Sequence, residues 1–240
     1  LLRQLYDIST LFRFDKENDI PKVYSGNVQA FNGSALKFIL ATCRSGLTHP
    51  GSYWLSDHLN YGPLAMLISR GRYVVYTHAY ELMLPVSALR RFALRRAKKV
   101  ICISEFCESL VLKLGVPKEK IYLLPHGADF SVLEKQTHSL PRILFVGRLD
   151  RHYKGQDHLL ESCKILISRG LEFEMRFAGG GEKLESFRQQ ARELGVEVLT
   201  NFLGFVPDDQ LDQEFADADI FAMPSNGEGF GLVYLQAMAN

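Results

Sequence analysis

The sequence predicts an α/β protein of two Rossmann-like domains, each built on a doubly wound parallel sheet. Short apolar runs rich in β-branched and aromatic residues alternate with longer amphipathic runs along most of the 240 residues. That alternation is typical of βαβ units, whose crossover helices make neighbouring strands parallel. Periodicity fades over residues 130–141 and restarts at Arg142. We therefore predict one domain at 1–130, a linker at 131–141 and a second domain at 142–240.

In the first predicted domain, helices and strands follow one another in strict alternation. Helices are predicted where apolar residues recur every three or four positions, and strands where short runs are β-branched and aromatic. Pro63 suits the first turn of a helix, whereas Gly115 followed by Pro117 ends one. The helices are predicted at 34–45, 61–70, 86–97 and 105–114, and the strands at 53–55, 73–77, 99–103 and 121–124.

The second predicted domain repeats this pattern. The helix predicted at 182–194 ends at Gly195, a residue that readily adopts the left-handed conformation of a helix C-terminus. The strands are predicted at 142–146, 173–178, 197–199, 202–203 and 220–223, and the helices at 158–168, 182–194, 208–216 and from about Gly231 onward.

Composition excludes several classes of protein. The chain is 47% hydrophobic and 23% charged, which is ordinary for a globular domain. Its net charge of +1 predicts no nucleic-acid partner, and no apolar run of about 18 residues predicts a membrane span. The cysteines form no Cys-x-x-Cys pair and the histidines no metal-ligand cluster, so we expect reduced thiols, a cytoplasmic location and no metal. The sequence starts without Met and stops inside a predicted helix, so we expect a chain cut at both ends.

The most informative segment runs from Pro224 to Ala239. Glu228 lies in a glycine-rich loop that leads directly into an apolar helix. Such a junction presents free backbone N–H groups and the positive end of a helix dipole to an anion. The carboxylate accepts hydrogen bonds from sugar hydroxyls. The segment therefore predicts a site that binds phosphate and sugar side by side.

Two cations, Arg148 and Lys154, follow the predicted strand at 142–146. Ligands of doubly wound sheets bind at the carboxyl ends of the strands, where this loop lies. A guanidinium fork and an ammonium both suit a diphosphate. The alternative is a pair of solvated loop cations; the Glu228 loop favours the functional interpretation.

Two other loops leave their role open. The run Gly179–Gly181 follows a strand and opens a helix, which fits a tight turn as well as a ligand contact. Phe205 and Val206 precede a helix, which fits either a helix-entry turn or a backbone edge that holds a nucleobase.

His78 follows the strand predicted at 73–77, and so lies at the carboxyl end of the first sheet. A lone histidine is more often structural than catalytic, but this position favours a functional role. His58 and His126 also lie near strand or loop ends, with a weaker case for function.

A basic segment covers one broad face of the helix predicted around residues 90–99. The largely opposite face carries Leu89, Phe92, Ala93, Leu94 and Ala97. The basic segment is either a solvated helix face or a peripheral contact with an anionic membrane or lipid-phosphate acceptor at the inner membrane face. The basic residues are Arg90, Arg91, Arg95, Arg96, Lys98 and Lys99.

Together these segments resemble glycosyltransferase family 4, over nearly the whole chain. Each segment alone is modest evidence for the family, but the order and spacing of the whole set are specific to it. The matching segments are Thr77–Leu82, Ala97–Phe106, Leu124–Asp129, Val146–Leu149 with Lys154–Gly155, Leu203–Pro207, Ala218–Phe221, Glu228–Gly231 and Ala237–Ala239.

The resemblance implies a GT-B fold, two Rossmann-like domains that face a cleft. It implies an acceptor-side first domain that lacks its first strand, and an incomplete nucleotide-sugar-binding second domain. The implied activity is transfer of a sugar from a UDP- or GDP-linked donor to a glycan or glycolipid acceptor, with retained configuration. No metal and no other cofactor are expected.

The resemblance also implies roles for single residues. Arg148 and Lys154 match the pair that neutralises the leaving diphosphate. Glu228 matches the acid that binds donor-sugar hydroxyls, and His78 a histidine near the donor sugar; both are candidate catalytic residues. The donor loop is Gly229, Phe230, Gly231 and Leu232, and the candidate nucleotide contacts are Gln236, Phe205 and Val206.

The sequence departs from the family pattern at three places: the missing ends of the two domains described above, and two single residues. Gln236 stands where the family has the acid that holds the ribose, and His126 where it often has Asn. Gln bonds a hydroxyl but carries no charge. Two alternatives to an active transferase therefore stay open. One is a catalytically weak or inactive nucleotide-sugar-binding or partner protein, and the other is a phosphorylase of the same fold.

Overall fold

The structure, a computed structural model, describes residues 9–12, 27–127, 133–150 and 154–240. The chain divides into two compact units, Leu1–Leu124 and Pro125–Asn240. Each unit has its own four-stranded sheet with parallel strand pairing, so the predicted α/β class is confirmed. Residues 131–132 of the predicted linker lie outside the described ranges, and residues 133–141 form neither helix nor strand.

The first unit contains a two-stranded and a four-stranded parallel sheet. Strands β1 and β2 pair with each other, and the larger sheet has the order β3-β4-β5-β6. The strands are β1 (Ser9–Phe12), β2 (Asn27–Ala30), β3 (Trp54–Ser56), β4 (Tyr73–Thr77), β5 (Lys99–Cys102) and β6 (Ile121–Leu123). The helices are α1 (Ala35–Thr48), α2 (Gly62–Ile68), α3 (Tyr80–Met83), α4 (Ala88–Arg96) and α5 (Glu105–Lys113), with 3₁₀ turns at Leu59–Tyr61 and Lys118–Lys120.

Serine side chains cap the start of three helices in this unit. Ser104 Oγ accepts a hydrogen bond from the Cys107 N–H at 3.1 Å, and Ser34 and Ser87 do the same for α1 and α4. Each cap satisfies an N–H group that a helix start leaves without a partner. The caps explain why these helices begin where they do.

The central strand β4 anchors the core of the first unit. Tyr73, Val75 and Thr77 are fully buried, at every second position of the strand. The Tyr73 hydroxyl donates to the Ala93 carbonyl at 2.5 Å, and burial raises the pKa of Tyr73 to about 12. This contact ties α4 to the sheet.

The second unit has one four-stranded sheet of order β10-β7-β8-β9. Its strands are β7 (Arg142–Val146), β8 (Glu174–Ala178), β9 (Thr200–Gly204) and β10 (Ile220–Phe221). Its helices are α6 (Gln156–Ser168), α7 (Leu184–Leu194), α8 (Asp208–Asp217) and α9 (Leu232–Ala239), with a 3₁₀ turn at Glu197–Leu199.

Helices cover both faces of this sheet, as a doubly wound fold requires. Phe145 packs in one buried cluster with Leu160 of α6 and Phe187 of α7. Its neighbour Leu144 packs in a second cluster with Phe215 of α8. Successive strand residues point to opposite faces, so β7 divides the core into these two layers.

The structure corrects several predicted elements. The strands predicted at 197–199 and 202–203 are a 3₁₀ turn and the single strand β9. Val198 is 96% exposed, so this β-branched residue does not belong to a buried strand. The strand predicted at 220–223 ends at Phe221, and the helix predicted at 182–194 begins at Leu184. Strands β1 and β2 and helix α3, of four residues each, were not predicted.

None of the helices in the described ranges is long and apolar enough to span a bilayer.

Candidate functional site

The loops at the carboxyl ends of β7, β8 and β9 are joined by backbone hydrogen bonds. The Gly147 N–H donates to the Ala178 carbonyl at 2.9 Å, and the Leu149 N–H to the Gly180 carbonyl at 2.9 Å. The Gly179 N–H donates to the Gly204 carbonyl at 2.7 Å. A Cβ on Gly179 would lie 1.9 Å from the Gly147 oxygen, so the close contact requires glycine. The glycine run thus packs one loop against the next and supports the tight-turn interpretation.

Lys154 and Glu228, which are 74 positions apart, meet at this edge of the sheet. The Lys154 ammonium donates to Glu228 Oε1 in a short contact. The two side chains are only 16% and 24% exposed. In this partly buried setting their attraction is screened less than that of a surface pair. The two residues predicted to bind phosphate and sugar are therefore direct neighbours.

Gly155 makes this meeting possible. It adopts a left-handed backbone with φ +81°, just before α6 begins. A Cβ at this position would lie 2.4 Å from the Pro224 carbonyl oxygen. The β7–α6 loop therefore touches the β10–α9 loop only because residue 155 has no side chain.

Arg148 follows the same strand as Lys154 but is held differently. Its guanidinium contacts Asp150 Oδ2 at 2.7 Å, and its side chain is 82% exposed. Its carbonyl accepts from Nε2 of the fully buried Gln156 at 3.0 Å, which fixes the backbone of the loop. A Cβ on the neighbouring Gly147 would lie 3.8 Å from Lys154 Cδ, so the Lys154 stem runs past this loop. The structure therefore places both predicted cations on the same edge of the sheet.

The donor loop, Gly229–Leu232, ends where α9 begins. Gly231 is the N-cap of α9 with φ +79°, and as a glycine it has no side chain with which to cap this helix. The Tyr234 hydroxyl donates to the Met223 carbonyl at 2.6 Å and closes the loop from its far side. Burial, with a smaller contribution from the Glu228 charge, raises the pKa of Tyr234. Phe230 meets the His126 ring edge to face, with centroids 5.6 Å apart.

Gln236, on α9, turns toward α8. Its Nε2 donates to Asp212 Oδ1 at 2.7 Å. Leu232 lies one turn earlier on the same side of α9, because residues four apart share a helix face. Gln236 is therefore on the helix face that continues from the donor loop.

The two remaining nucleotide candidates differ from each other. Phe205 follows Gly204 at the end of β9 and its side chain is 83% exposed. Val206 is half-buried and packs on the cluster that contains Leu144. Only Phe205 and the backbone of this segment offer a surface to a ligand.

In the first unit, His78 follows β4 and is held by two acids. Its Nε2 donates to the Asp57 carbonyl at 2.8 Å and lies 3.4 Å from Asp57 Oδ1. Glu81 Oε1 accepts from the His78 backbone N–H at 2.9 Å. The bond to the Asp57 side chain raises the pKa of His78, although burial opposes this shift. The next residue, Ala79, has φ +67°, a strained value for a residue with a Cβ.

The other two histidines have packing roles in the structure. His58 Nδ1 accepts from the Asn60 N–H at 3.1 Å and caps the 3₁₀ turn that follows. Its ring stacks 6.5 Å from the His78 ring. His126 makes the contact with Phe230 described above.

The basic segment is not one helix face. Helix α4 ends at Arg96, so Lys98 and Lys99 lie outside it. Lys98 binds the Tyr53 hydroxyl and Lys99 the Glu119 carbonyl, both across the sheet surface. Leu89 and Phe92 are 58% and 53% exposed, because Ala93, Leu94 and Ala97 fill the buried side of α4. The exposed surface of α4 is therefore mixed, with four arginines and two large apolar side chains; the arginines are Arg90, Arg91, Arg95 and Arg96.

Across the described ranges, no group of three His, Cys, Asp or Glu side chains is arranged to hold a metal ion. The cysteines Cys43, Cys102, Cys107 and Cys163 are all free thiols.

Sequence patterns missed the polar partners of the site residues: Asp57, Glu81, Asp150, Asp212 and Tyr234. Glu81 stands three positions after His78, a spacing that the sequence displays. Asp57 and Asp212 come from other elements, 21 and 24 positions from their partners. No local pattern could have indicated those two contacts.

Two family models match adjoining parts of the chain. The model described as "Glycosyltransferase Family 4" matches residues 53–132, and the one described as "Glycosyl transferases group 1" matches residues 132–240. A GDP-mannose-dependent alpha-(1-6)-phosphatidylinositol monomannoside mannosyltransferase of Mycolicibacterium smegmatis is 32% identical over 74% of the chain and 52% of its own length. A mannosylfructose-phosphate synthase of Agrobacterium fabrum is 28% identical over 55% of the chain and 33% of its own length.

Among solved structures, HepE of Anabaena in complex with UDP-glucose superposes with a TM-score of 0.71. The alignment covers 96% of the chain and 78% of that structure at 20% identity, a likeness that concerns the fold alone. The chain spans about half or less of the length of the two relatives described above.

Proposed function

Because the chain belongs to glycosyltransferase family 4 and has the GT-B fold, we propose that the protein transfers a sugar from a nucleotide-diphosphate donor. In this proposal the donor is UDP- or GDP-linked, the acceptor is a glycan or glycolipid, and the anomeric configuration is retained. The observation that carries the proposal is the contact between Lys154 and Glu228 at the carboxyl edge of the second sheet. Lys154 suits a phosphate and Glu228 suits a sugar hydroxyl. The two side chains are neighbours, as the phosphate and the sugar are in a nucleotide-sugar donor.

Lys154 and Arg148 supply the positive charge of the proposed site. As the bond to the sugar breaks, negative charge develops on the leaving diphosphate, and fixed cations stabilise that charge. Lys154 is held in place by Glu228 before any phosphate arrives, so little reorganisation is needed. In this proposal the start of α9, which has a glycine as its N-cap, adds backbone N–H donors.

The sugar and the nucleoside are proposed to bind on either side of these phosphates. Glu228 Oε2 and the Gly229–Gly231 backbone face the sugar in this proposal. Gln236 accepts from the ribose, and the segment at Phe205–Val206 meets the base. His78 of the first unit stays a candidate catalytic residue of the proposed transferase, with its ring held by Asp57.

The proposed chemistry uses no metal ion. Two side-chain cations and a helix start already provide the charge that a divalent ion would supply to a diphosphate. A chelator therefore leaves nucleotide affinity unchanged. A loss of binding in EDTA that Mg²⁺ restores would overturn this part of the proposal.

The acceptor is proposed to be lipid-linked and reached at a membrane surface. The M. smegmatis relative is named for a phosphatidylinositol mannoside, which makes GDP-mannose the first donor to test. The exposed side of α4 combines four arginines with Leu89 and Phe92, a composition that favours an anionic bilayer surface. Sedimentation with phosphatidylglycerol vesicles tests this contact. Binding by wild type that Arg91→Glu abolishes supports it, and equal binding to neutral vesicles contradicts it.

Calorimetry of the full-length protein with GDP and UDP tests the proposed site. We expect one of the two nucleotides to bind, and Lys154→Ala to weaken it roughly 10- to 100-fold, since a charge-assisted hydrogen bond to phosphate is lost. The matched control is Lys164→Ala, an exposed lysine of α6, which leaves binding unchanged. If neither nucleotide binds at millimolar concentration, the proposal fails.

A catalytically weak nucleotide-sugar-binding protein is the second candidate, favoured by the uncharged Gln236. The two candidates differ in turnover. An active transferase releases GDP or UDP from its donor faster than the uncatalysed rate, whereas a binding protein holds the donor intact. Release of nucleotide that stops in His78→Ala, with donor affinity retained, supports the transferase.

A further inference from the structure

Gln236 and Asp212 form a hydrogen-bonded pair between two helices of the second unit. Gln236 Nε2 on α9 donates to Asp212 Oδ1 on α8 at 2.7 Å, and both side chains are half-buried. A carboxylate only accepts hydrogen bonds, whereas an amide both donates and accepts. The NH₂ group of Gln236 must therefore face Asp212.

This contact fixes which atom Gln236 offers on its other side. With its NH₂ group committed to Asp212, the amide presents Oε1, an acceptor, away from α8. An unrestrained glutamine would present either atom, since the amide rotates at little cost. A fixed acceptor is what a sugar hydroxyl needs, and it reproduces the hydrogen-bonding role of a glutamate at this position without its charge.

We propose that Asp212 is a positioning residue, which orients the Gln236 amide so that Gln236 Oε1 accepts a hydrogen bond from a ribose hydroxyl of the donor nucleotide. This inference rests on the proposed function, because it assumes that a nucleotide lies along the face of α9 that continues from the donor loop. It assigns to α8 a part in donor recognition, through a residue that never touches the donor.

The pair also determines what a glutamate at position 236 would do in this protein. Gln236→Glu would bring a second carboxylate to the Asp212 carboxylate at hydrogen-bond distance, and like charges at that distance repel. The single substitution therefore weakens nucleotide binding. The double substitution Asp212→Asn with Gln236→Glu reverses the donor and acceptor of the pair, so the new amide donates to the new carboxylate and binding is restored.

Calorimetry of the full-length protein with GDP, UDP and their 2′-deoxy and 3′-deoxy analogues tests this inference. We expect Asp212→Ala to weaken binding of the nucleotide about 5-fold and Gln236→Glu about 10-fold. The double substitution returns the affinity to within about 2-fold of wild type. Asp209→Ala, an exposed acid on the same helix, is the matched control and leaves binding unchanged.

The deoxy analogues separate positioning from mere structural support. In wild type, loss of the recognised hydroxyl costs about 5-fold in affinity, and in Asp212→Ala that cost shrinks toward nothing. If Asp212 had only a structural role, Asp212→Ala would weaken the binding of all these nucleotides equally. Removing the ribose hydroxyl would then reduce affinity by the same factor in the variant as in wild type. Thermal unfolding of each variant confirms that it is folded.

The outcomes are distinguishable. A wild type that binds neither GDP nor UDP overturns the proposed function, and this inference falls with it. If wild type binds a nucleotide, two results would overturn the inference and leave the proposed function standing. One is tighter binding by Gln236→Glu alone. The other is that removing the ribose hydroxyl reduces the affinity of Asp212→Ala as much as that of wild type.

Discussion

The ion pair between Lys154 and Glu228 limits how strongly each side chain attracts a ligand. An ammonium paired with a carboxylate in a partly buried setting is neutralised, and its attraction for a phosphate is reduced. The same pairing holds both groups in one geometry, which lowers the ordering cost when a ligand binds. The net effect on a ligand depends on whether it satisfies both groups: a nucleotide sugar does, and a nucleotide diphosphate satisfies Lys154 alone.

Glu228→Gln separates these two effects. The substitution keeps the size of the side chain but removes the charge, so Lys154 is freed for phosphate while the sugar loses a charged acceptor. We expect affinity for GDP-mannose to fall about 10-fold relative to GDP, and affinity for GDP itself to stay or rise. Calorimetry with both ligands measures the difference. Equal weakening of both would mean that Glu228 acts only by holding Lys154.

The raised pKa of His78 makes a pH-dependent contribution to the stability of the first unit. The bond to Asp57 favours the protonated imidazole in the folded state, so the contribution is fully present below the ordinary histidine pKa of about 6.5 and is lost as pH rises through the raised value. Asp57→Asn is expected to lower the pKa of His78, measured by NMR titration of its ring protons. It should also destabilise the protein more at pH 5.5 than at pH 8.5.

Asp208→Asn, an exposed acid of the second unit, is the control for this titration and leaves the His78 pKa unchanged. A His78 pKa that does not fall in Asp57→Asn would mean that the backbone carbonyl of Asp57 and the nearby Glu81 hold the proton without the Asp57 carboxylate.

At the scale of elements, the site depends on how closely the loops approach at the ends of parallel strands. Alternating apolar and amphipathic runs predict the strands, the helices and therefore the edge where the site lies. The Gly155–Pro224 contact that joins two of these loops depends on backbone geometry, which the sequence displays only as a glycine.

Gly155→Ala tests this loop contact, and Gly170→Ala is its matched control at the other end of α6. Both residues have left-handed backbones, with φ +81° and +75°, so both substitutions carry a similar strain of about 1 kcal/mol. At residue 155 the new Cβ would meet backbone, 2.4 Å from the Pro224 oxygen, whereas at residue 170 no atom of the described residues lies within 4 Å.

We therefore expect Gly155→Ala to destabilise the protein by roughly 2 kcal/mol more than Gly170→Ala, by chemical denaturation, and to weaken nucleotide binding. Gly170→Ala should bind nucleotide as wild type does. Equal stability and equal binding in the two variants would contradict the proposed role of the loop contact.

The contacts that the sequence could not predict join residues that are far apart in the chain. Local periodicity reports which side of an element is buried, but not which distant side chain completes a hydrogen bond. Asp212 and Asp57 were missed for this reason, although their partners Gln236 and His78 were singled out. Periodicity also placed Phe92 on the apolar side of its helix, whereas the buried side of α4 has room only for Ala93, Leu94 and Ala97.

At the scale of the whole molecule, the two units divide the candidate site residues between them. The second unit carries the cations, Glu228, the donor loop and Gln236, all arranged around the carboxyl edge of one sheet. The first unit carries His78 and the basic surface of α4. The proposed function therefore predicts that nucleotide affinity depends on the second unit, and that turnover and acceptor specificity depend on the first.

The proposed donor site is tested by a crystal structure of the full-length protein with GDP-mannose or UDP-glucose bound. We expect the diphosphate to contact Lys154 Nζ and the backbone N–H groups at the start of α9, with a sugar hydroxyl on Glu228. A donor bound away from the carboxyl edge of β7, β8 and β9, with the Lys154–Glu228 contact unchanged, would contradict it.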